Sequence, residues 1–183
     1  MLEFRSNSLP WIFYICFGYN SKKRGWGMRM NYIIEELPTL SVIGEKKIYA
    51  TGQKAQENIF MFWMEFDDSG KKDQLLELGN NQLPGLLGVC KPHNSGEIHY
   101  LIGVTSEHKD DKWRNIELEG GRYLVFDAKG PVPESIKKAM QQINKDILPK
   151  LDYEIRHAPF FELYKEGAIR EDDYVTEIWL PIV

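Results

Sequence analysis

From residue 31 onward the hydrophobic positions switch between two periods, and the switches divide the chain. Residues 32–36 and 40–49 read as an opening strand pair, with Pro38 and Thr39 between them. Residues 53–66 carry Ile59, Phe60, Phe62, Trp63 and Phe66, a broad helical stripe that ends at Asp67-Asp68-Ser69-Gly70. Residues 71–78 predict a further short helical turn, and Asn80-Asn81 a loop. Residues 84–90 and 98–104 then read as a hairpin around the polar turn Asn94-Ser95-Gly96. A charged linker over 107–112 follows. After it the order repeats. Residues 113–118 open the second half, Gly120-Gly121 turn the chain, and 123–128 form an apolar strand. Pro131 and Pro133 start a helix whose face is marked by Ile136, Met140, Ile143 and Ile147, and Pro149 stops it. A strand ending at Tyr164, a turn-rich loop to Asp173 and a strand over 176–182 complete the chain.

The two halves, about 31–106 and 113–183, share one order of elements at an offset of roughly eighty residues, the mark of a duplicated half-domain. The predicted class is therefore α+β, with strand-helix-hairpin (β-α-β-β) halves related by a pseudo-twofold. Their antiparallel sheets would leave a groove between them, with a helix behind each.

One short stretch breaks the pattern. In Phe160-Phe161-Glu162-Leu163-Tyr164, alternation puts Phe160, Glu162 and Tyr164 on one strand face and Phe161 and Leu163 on the other. A carboxylate between two aromatics is costly to bury unless it is paired or hydrogen-bonded. Glu162 is thus either a surface residue on an edge strand or the polar centre of an aromatic pocket; taken alone, the residue type favours the surface.

The order of elements resembles the GyrI-like small-molecule-binding family, which also supplies effector-binding domains of multidrug-sensing transcription activators. The similarity spans about residues 30 to 183. It rests on Ile59-x-x-Phe62-Trp63-x-x-Phe66, Pro84-Gly85, Gly120-Gly121-Arg122-Tyr123, Pro159-x-x-Glu162-x-Tyr164 and Trp179-x-Pro181. The resemblance implies that Glu162 faces the groove and meets cationic parts of flat aromatic ligands, with Phe160 and Tyr164 beside it. By the same resemblance Trp179, Trp63 and Tyr123 are expected to supply aromatic surface. A Trp on an apolar helix face is more often core, so Trp63 also has a purely structural reading.

Composition narrows the function classes. The chain has 183 residues, 43% hydrophobic and 27% charged, which suits one globular domain with a sizeable core. Aromatic residues make up 13%, useful for binding flat molecules. The net charge of −4 argues against a nucleic-acid surface over the whole chain. Residues 1–30 hold five basic residues against Glu3, a net of +4, which leaves −8 for residues 31–183. Cys16 and Cys90 match no redox or metal spacing and fit a reducing compartment, so a cytoplasmic location is expected. His93 and His99 flank the first hairpin turn and can face each other, but the four histidines form no metal-ligand cluster. No cofactor or metal is expected.

Residues 1–30 stand apart. The apolar run Trp11-Ile12-Phe13-Tyr14-Ile15-Cys16-Phe17 is too short to span a bilayer and has its charges on the wrong side for a signal peptide. It reads either as an extra edge strand or oligomer contact, or as translated leader ahead of a start at Met28 or Met30. The second reading is favoured, since Lys22-Lys23-Arg24-Gly25-Trp26-Gly27 requires purine-rich codons of the kind found in a ribosome-binding site. Too few residues precede Tyr32 for a helix-turn-helix pair, so direct DNA binding is not expected.

Three functions stay open on the sequence. The leading one is a stand-alone binder of small, flat, aromatic or cationic molecules, sensing or sequestering drugs or toxins. The second, implied by the resemblance, is a hydrolase of reactive cyclopropane-bearing aromatic natural products, with Glu162 as general base. The third is a protein-level regulator such as a gyrase inhibitor, which would add a protein partner.

Overall fold

The computed structural model describes residues 30–109 and 111–183. The segment with Trp11 and Phe17 lies outside the described residues. Eight strands run β1 (Tyr32–Leu37), β2 (Leu40–Tyr49), β3 (Leu86–Pro92), β4 (Ile98–Thr105), β5 (Arg114–Leu118), β6 (Gly121–Lys129), β7 (Phe160–Tyr164) and β8 (Val175–Pro181). The helices are α1 (Gly52–Asp68), α2 (Lys72–Glu77) and α3 (Glu134–Gln142). Thr51 caps α1 by accepting from the Lys54 N–H at 3.2 Å, and Gly70, at φ 69°, lets the chain turn away after it. The helical stretch after Pro133 does not stay regular. It is α through Gln142, widens into a π turn at Ile143–Ile147, and tightens into a 3-10 turn at Leu148–Lys150.

All eight strands join one antiparallel sheet in the order β1-β6-β8-β7-β3-β4-β2-β5. The order is symmetric. β2, β4 and β3 of the first half are mirrored by β6, β8 and β7 of the second, and the halves meet where β3 pairs with β7. The duplication and the α+β class expected from the sequence are therefore present. The two half-sheets are fused edge to edge, however, so the groove lies on one face of the joined sheet.

The expected pairing of the first two strands is not what forms. β1 pairs with β6 and β2 with β4 and β5, so they stand six places apart in the sheet. At roughly 4.8 Å per strand that separation is about 29 Å in a flat sheet, while three residue steps reach only about 11 Å. The sheet must therefore curl until its ends approach. The two connections that bridge those ends touch, the Gly120 N–H donating to Thr39 Oγ1 at 3.1 Å.

Curling creates two cores. Inside the curl, covered by no helix, lie Leu87, Val89, Leu101, Leu118, Tyr123, Phe161 and Trp179. On the other face the helices pack Ala55, Phe62, Phe66, Ile136 and Met140 against Ile102, Phe126 and Ile178. Strand alternation decides which core each side chain enters, and Phe160 and Phe161 accordingly part company.

Candidate functional site

The helix-bearing face carries a groove of about 1190 Å³ between α1 on one side and α3 with the loop after β7 on the other. β3, β4 and β7 form its floor through Gly88, Tyr100 and Glu162. β7 sits fourth in an eight-stranded sheet, which removes the edge-strand reading of Glu162.

Glu162 is half-buried and held by phenols. Tyr164 donates to its Oε2 at 2.9 Å and Tyr100 donates to the same oxygen at 3.3 Å. The Trp63 indole N–H in turn donates to the Tyr100 hydroxyl at 3.0 Å. Trp63 also packs on Tyr164, with ring centroids 4.8 Å apart at 58°. Both phenols converge on Oε2, so Oε1 is the oxygen left for a ligand. Removal from water pushes the Glu162 carboxyl up to about 7, although the Tyr164 and Tyr100 hydrogen bonds pull it the other way. The Tyr164 hydroxyl is driven well above its usual range by burial first and by the neighbouring Glu162 charge second.

The space for this network comes from a missing side chain. Gly88 is the register partner of Glu162 across β3 and β7. A Cβ at Gly88 would lie 2.3 Å from the Tyr100 hydroxyl and 3.0 Å from Glu162 Oε2. Glycine inside a strand often marks such a close approach. A second glycine, Gly85, sits at φ 127° where a Cβ would lie 2.3 Å from the Tyr164 carbonyl.

Of the six residues expected to bind a ligand, the structure brings four together: Glu162, Tyr164, Phe160 and Trp63 all line the groove. Trp179 and Tyr123 are elsewhere. They lie inside the curl, where Trp179 stacks on Phe161 at 5.2 Å and 16° and Tyr123 approaches Trp179 at 6.1 Å. Alternation explains the separation: Trp179 pairs with Phe161, which points away from the Glu162 face. Tyr123 is tied there by its hydroxyl, which donates to the Glu119 carbonyl at 2.7 Å. Tyr100 and Gly88 are members of the site that the sequence reading passed over. A glycine flanked by Leu87 and Val89 in a predicted strand was the available signal. His93 and His99 do face each other, with ring centroids 4.0 Å apart. Among the described residues no group of three His, Cys, Asp or Glu side chains could hold a metal ion, and no helix is long and apolar enough to cross a membrane.

A family model described as the GyrI-like small molecule binding domain matches residues 30–183. Among solved structures, SAV2435 bound to tetraphenylphosphonium is 34% identical, with 84% of this chain and 94% of that chain covered and a TM-score of 0.79. A putative bacterial transcription regulation protein from Staphylococcus aureus MU50 is also 34% identical, covering 84% and 99%, with a TM-score of 0.78. An integron cassette protein from Vibrio cholerae shares the fold at 15% identity, covering 83% and 95%, with a TM-score of 0.62. Among curated proteins none matches.

Proposed function

The chain belongs to the GyrI-like small-molecule-binding family, and from that premise we propose that its groove takes flat or delocalised hydrophobic cations, with Glu162 as their counter-charge. One observation carries the reading. A carboxylate sits on the floor of an aromatic-lined groove with two phenol donors and, among the described residues, no ion pair. A ligand is left to supply the positive charge. Trp63 and Tyr164 offer ring faces beside the acid, so Coulomb attraction and cation–π contact act together where water is excluded. Tetraphenylphosphonium on a relative of 34% identity is a ligand of this chemical kind.

The test is a titration of the full chain with tetraphenylphosphonium, followed by calorimetry. Glu162→Gln should weaken binding by about 1–3 kcal/mol, roughly 5- to 150-fold, as expected for a lost contact to a desolvated charge. Glu154→Gln, at an exposed position, is the control. Parent-like binding by both variants would sink the reading. A carboxyl poised near neutral pH is also suited to a general base on water, which favours the hydrolase as the second reading. That reading requires turnover of a cyclopropane-bearing aromatic substrate that is lost in Glu162→Gln.

A further inference from the structure

The two walls of the groove differ in chemistry. α1 presents Gln56, Phe60 and Met64 at four-residue spacing, with Trp63 beneath them. Phe60 and Met64 are 51% and 45% exposed, so this wall offers apolar surface to whatever enters. The opposite wall presents Lys137 and Gln141 from α3, also four residues apart, and Arg170 from the loop after β7. The Val132 N–H donates to the Ile169 carbonyl at 2.8 Å, which pins the loop to the start of α3 and places Arg170 on the same wall as Lys137.

The charge on that wall is mainly basic. Lys137 and Arg170 make no ion pair among the described residues. Lys165, nearby, is neutralised by Glu177. Among the described residues that line the groove, Glu166 is the one acid on this side, with Glu171, Asp172 and Asp173 following Arg170 outside the lining, whereas Asp67 and Lys72 offset each other on the α1 and α2 side. Residues 31–183 carry a net charge of −8, so an unpaired basic pair on a groove wall runs against the charge of the domain.

Resting on the cation-binding reading above, we infer that the preferred ligands are bipolar: a flat hydrophobic cation that also bears an anionic group, a carboxylate or its chemical equivalent. The delocalised cation lies over Glu162 and against Trp63 and Phe60. The anionic substituent points to the α3 wall, where Lys137 and Arg170 receive it and Gln141 adds a donor. A purely cationic ligand uses the floor and the apolar wall only. The groove volume of about 1190 Å³ leaves room for a ligand that reaches both.

Two dyes with one xanthylium cation separate the contributions: rhodamine 110, a free carboxylic acid, and rhodamine 123, its methyl ester. Fluorescence anisotropy on the full chain at pH 7.5 and low salt should give rhodamine 110 the lower Kd, by about three- to tenfold, as two partly solvated charge contacts allow. The double variant Lys137→Ala/Arg170→Ala should abolish that preference, bringing the Kd values of the two dyes within about twofold of each other. Raising the salt should shrink the preference in the parent and leave the variant unmoved. A parent that prefers the ester, or a double variant that keeps the acid preference, overturns the inference. So does binding of tetraphenylphosphonium with neither dye. The tetraphenylphosphonium titration with Glu162→Gln keeps the two levels apart: its failure removes the cation site itself, and its success with no preference for the acid removes the bipolar ligand alone.

Discussion

Replacing Glu162 by Gln should make the free protein more stable at high pH, which is unusual for the loss of a hydrogen-bonded residue. The carboxyl moves from its ordinary 4.5 to about 7 on folding, mainly because burial disfavours the charge. Between those two pH values the folded state holds a proton that the unfolded state has released, so stability falls as pH rises from about 4.5 through about 7 and is flat beyond. A separation of about 2.5 pH units corresponds to about 3 kcal/mol carried against folding at pH 8 and absent at pH 4. An amide keeps the oxygen that accepts from Tyr164 and Tyr100 but has no charge to desolvate. Allowing for weaker hydrogen bonds to a neutral acceptor, Glu162→Gln should gain about 1–3 kcal/mol at pH 8 and little at pH 4. For a domain of this size that is a melting-temperature rise of roughly 2–12 °C. Urea unfolding of parent and variant at several pH values between 4 and 8 is the assay, and the difference between the two curves cancels contributions from other groups. A variant that is less stable at pH 8, or a difference that does not change with pH, would refute the argument that Glu162 is a desolvated charge.

Other outcomes follow from the same geometry. Gly88→Ala should destabilise by about 1–3 kcal/mol by forcing the Tyr100 hydroxyl aside, and should weaken tetraphenylphosphonium binding in the same titration. Tyr100→Phe removes one of the donors that hold the Glu162 carboxyl down, so the pH below which cation binding fades should move upward, as read from affinity against pH. Trp179→Ala should cost about 3–5 kcal/mol in chemical denaturation yet leave the Kd of the folded protein within twofold, whereas Trp63→Phe should weaken binding with a smaller loss of stability.

The halves were legible in the sequence because local periodicity reports them directly: the Ile59–Phe66 stripe, the hairpin turn at Ser95-Gly96 and the start at Pro133 each act over a few residues. The joining of the halves was not. Nothing in residues 32–49 says that β1 will leave β2 and pair with β6, because strand partners are chosen by global closure of the sheet and not by neighbours in sequence. The site divides in the same way. Phe160, Glu162 and Tyr164 share a face by the two-residue period within one strand, and Trp63 adjoins them from the helix. Trp179 sits in a neighbouring strand, and its face depends on register: pairing with Phe161 sends it inside the curl, and a shift of one residue would have sent it to the groove. Tyr100 escaped notice for the converse reason, since a Tyr in an apolar strand has no signature until the register shows what lies across from it.

That register also explains why one fold built from two similar halves has one acidic site. The ladder joining the halves runs from Leu86–Tyr164 to Cys90–Phe160, and its middle pair is Gly88 with Glu162. Two carboxylates at this pair would be direct cross-strand neighbours, about 4.5–5.5 Å apart at Cβ, and their repulsion in a partly desolvated groove would drive at least one to stay protonated. Two glycines would leave a groove floor with no charge to offer. One of each satisfies both demands: the glycine vacates the volume that Tyr100 needs to reach the acid, and the acid supplies the field. Gly88→Glu therefore makes a sharper test of this asymmetry than Gly88→Ala. It should destabilise the protein more at pH 8 than at pH 5, because the second carboxylate adds repulsion only when both are ionised, and Glu162→Gln in the same chain should recover part of the loss. If the loss were instead equal at the two pH values and untouched by Glu162→Gln, steric exclusion alone would account for the glycine.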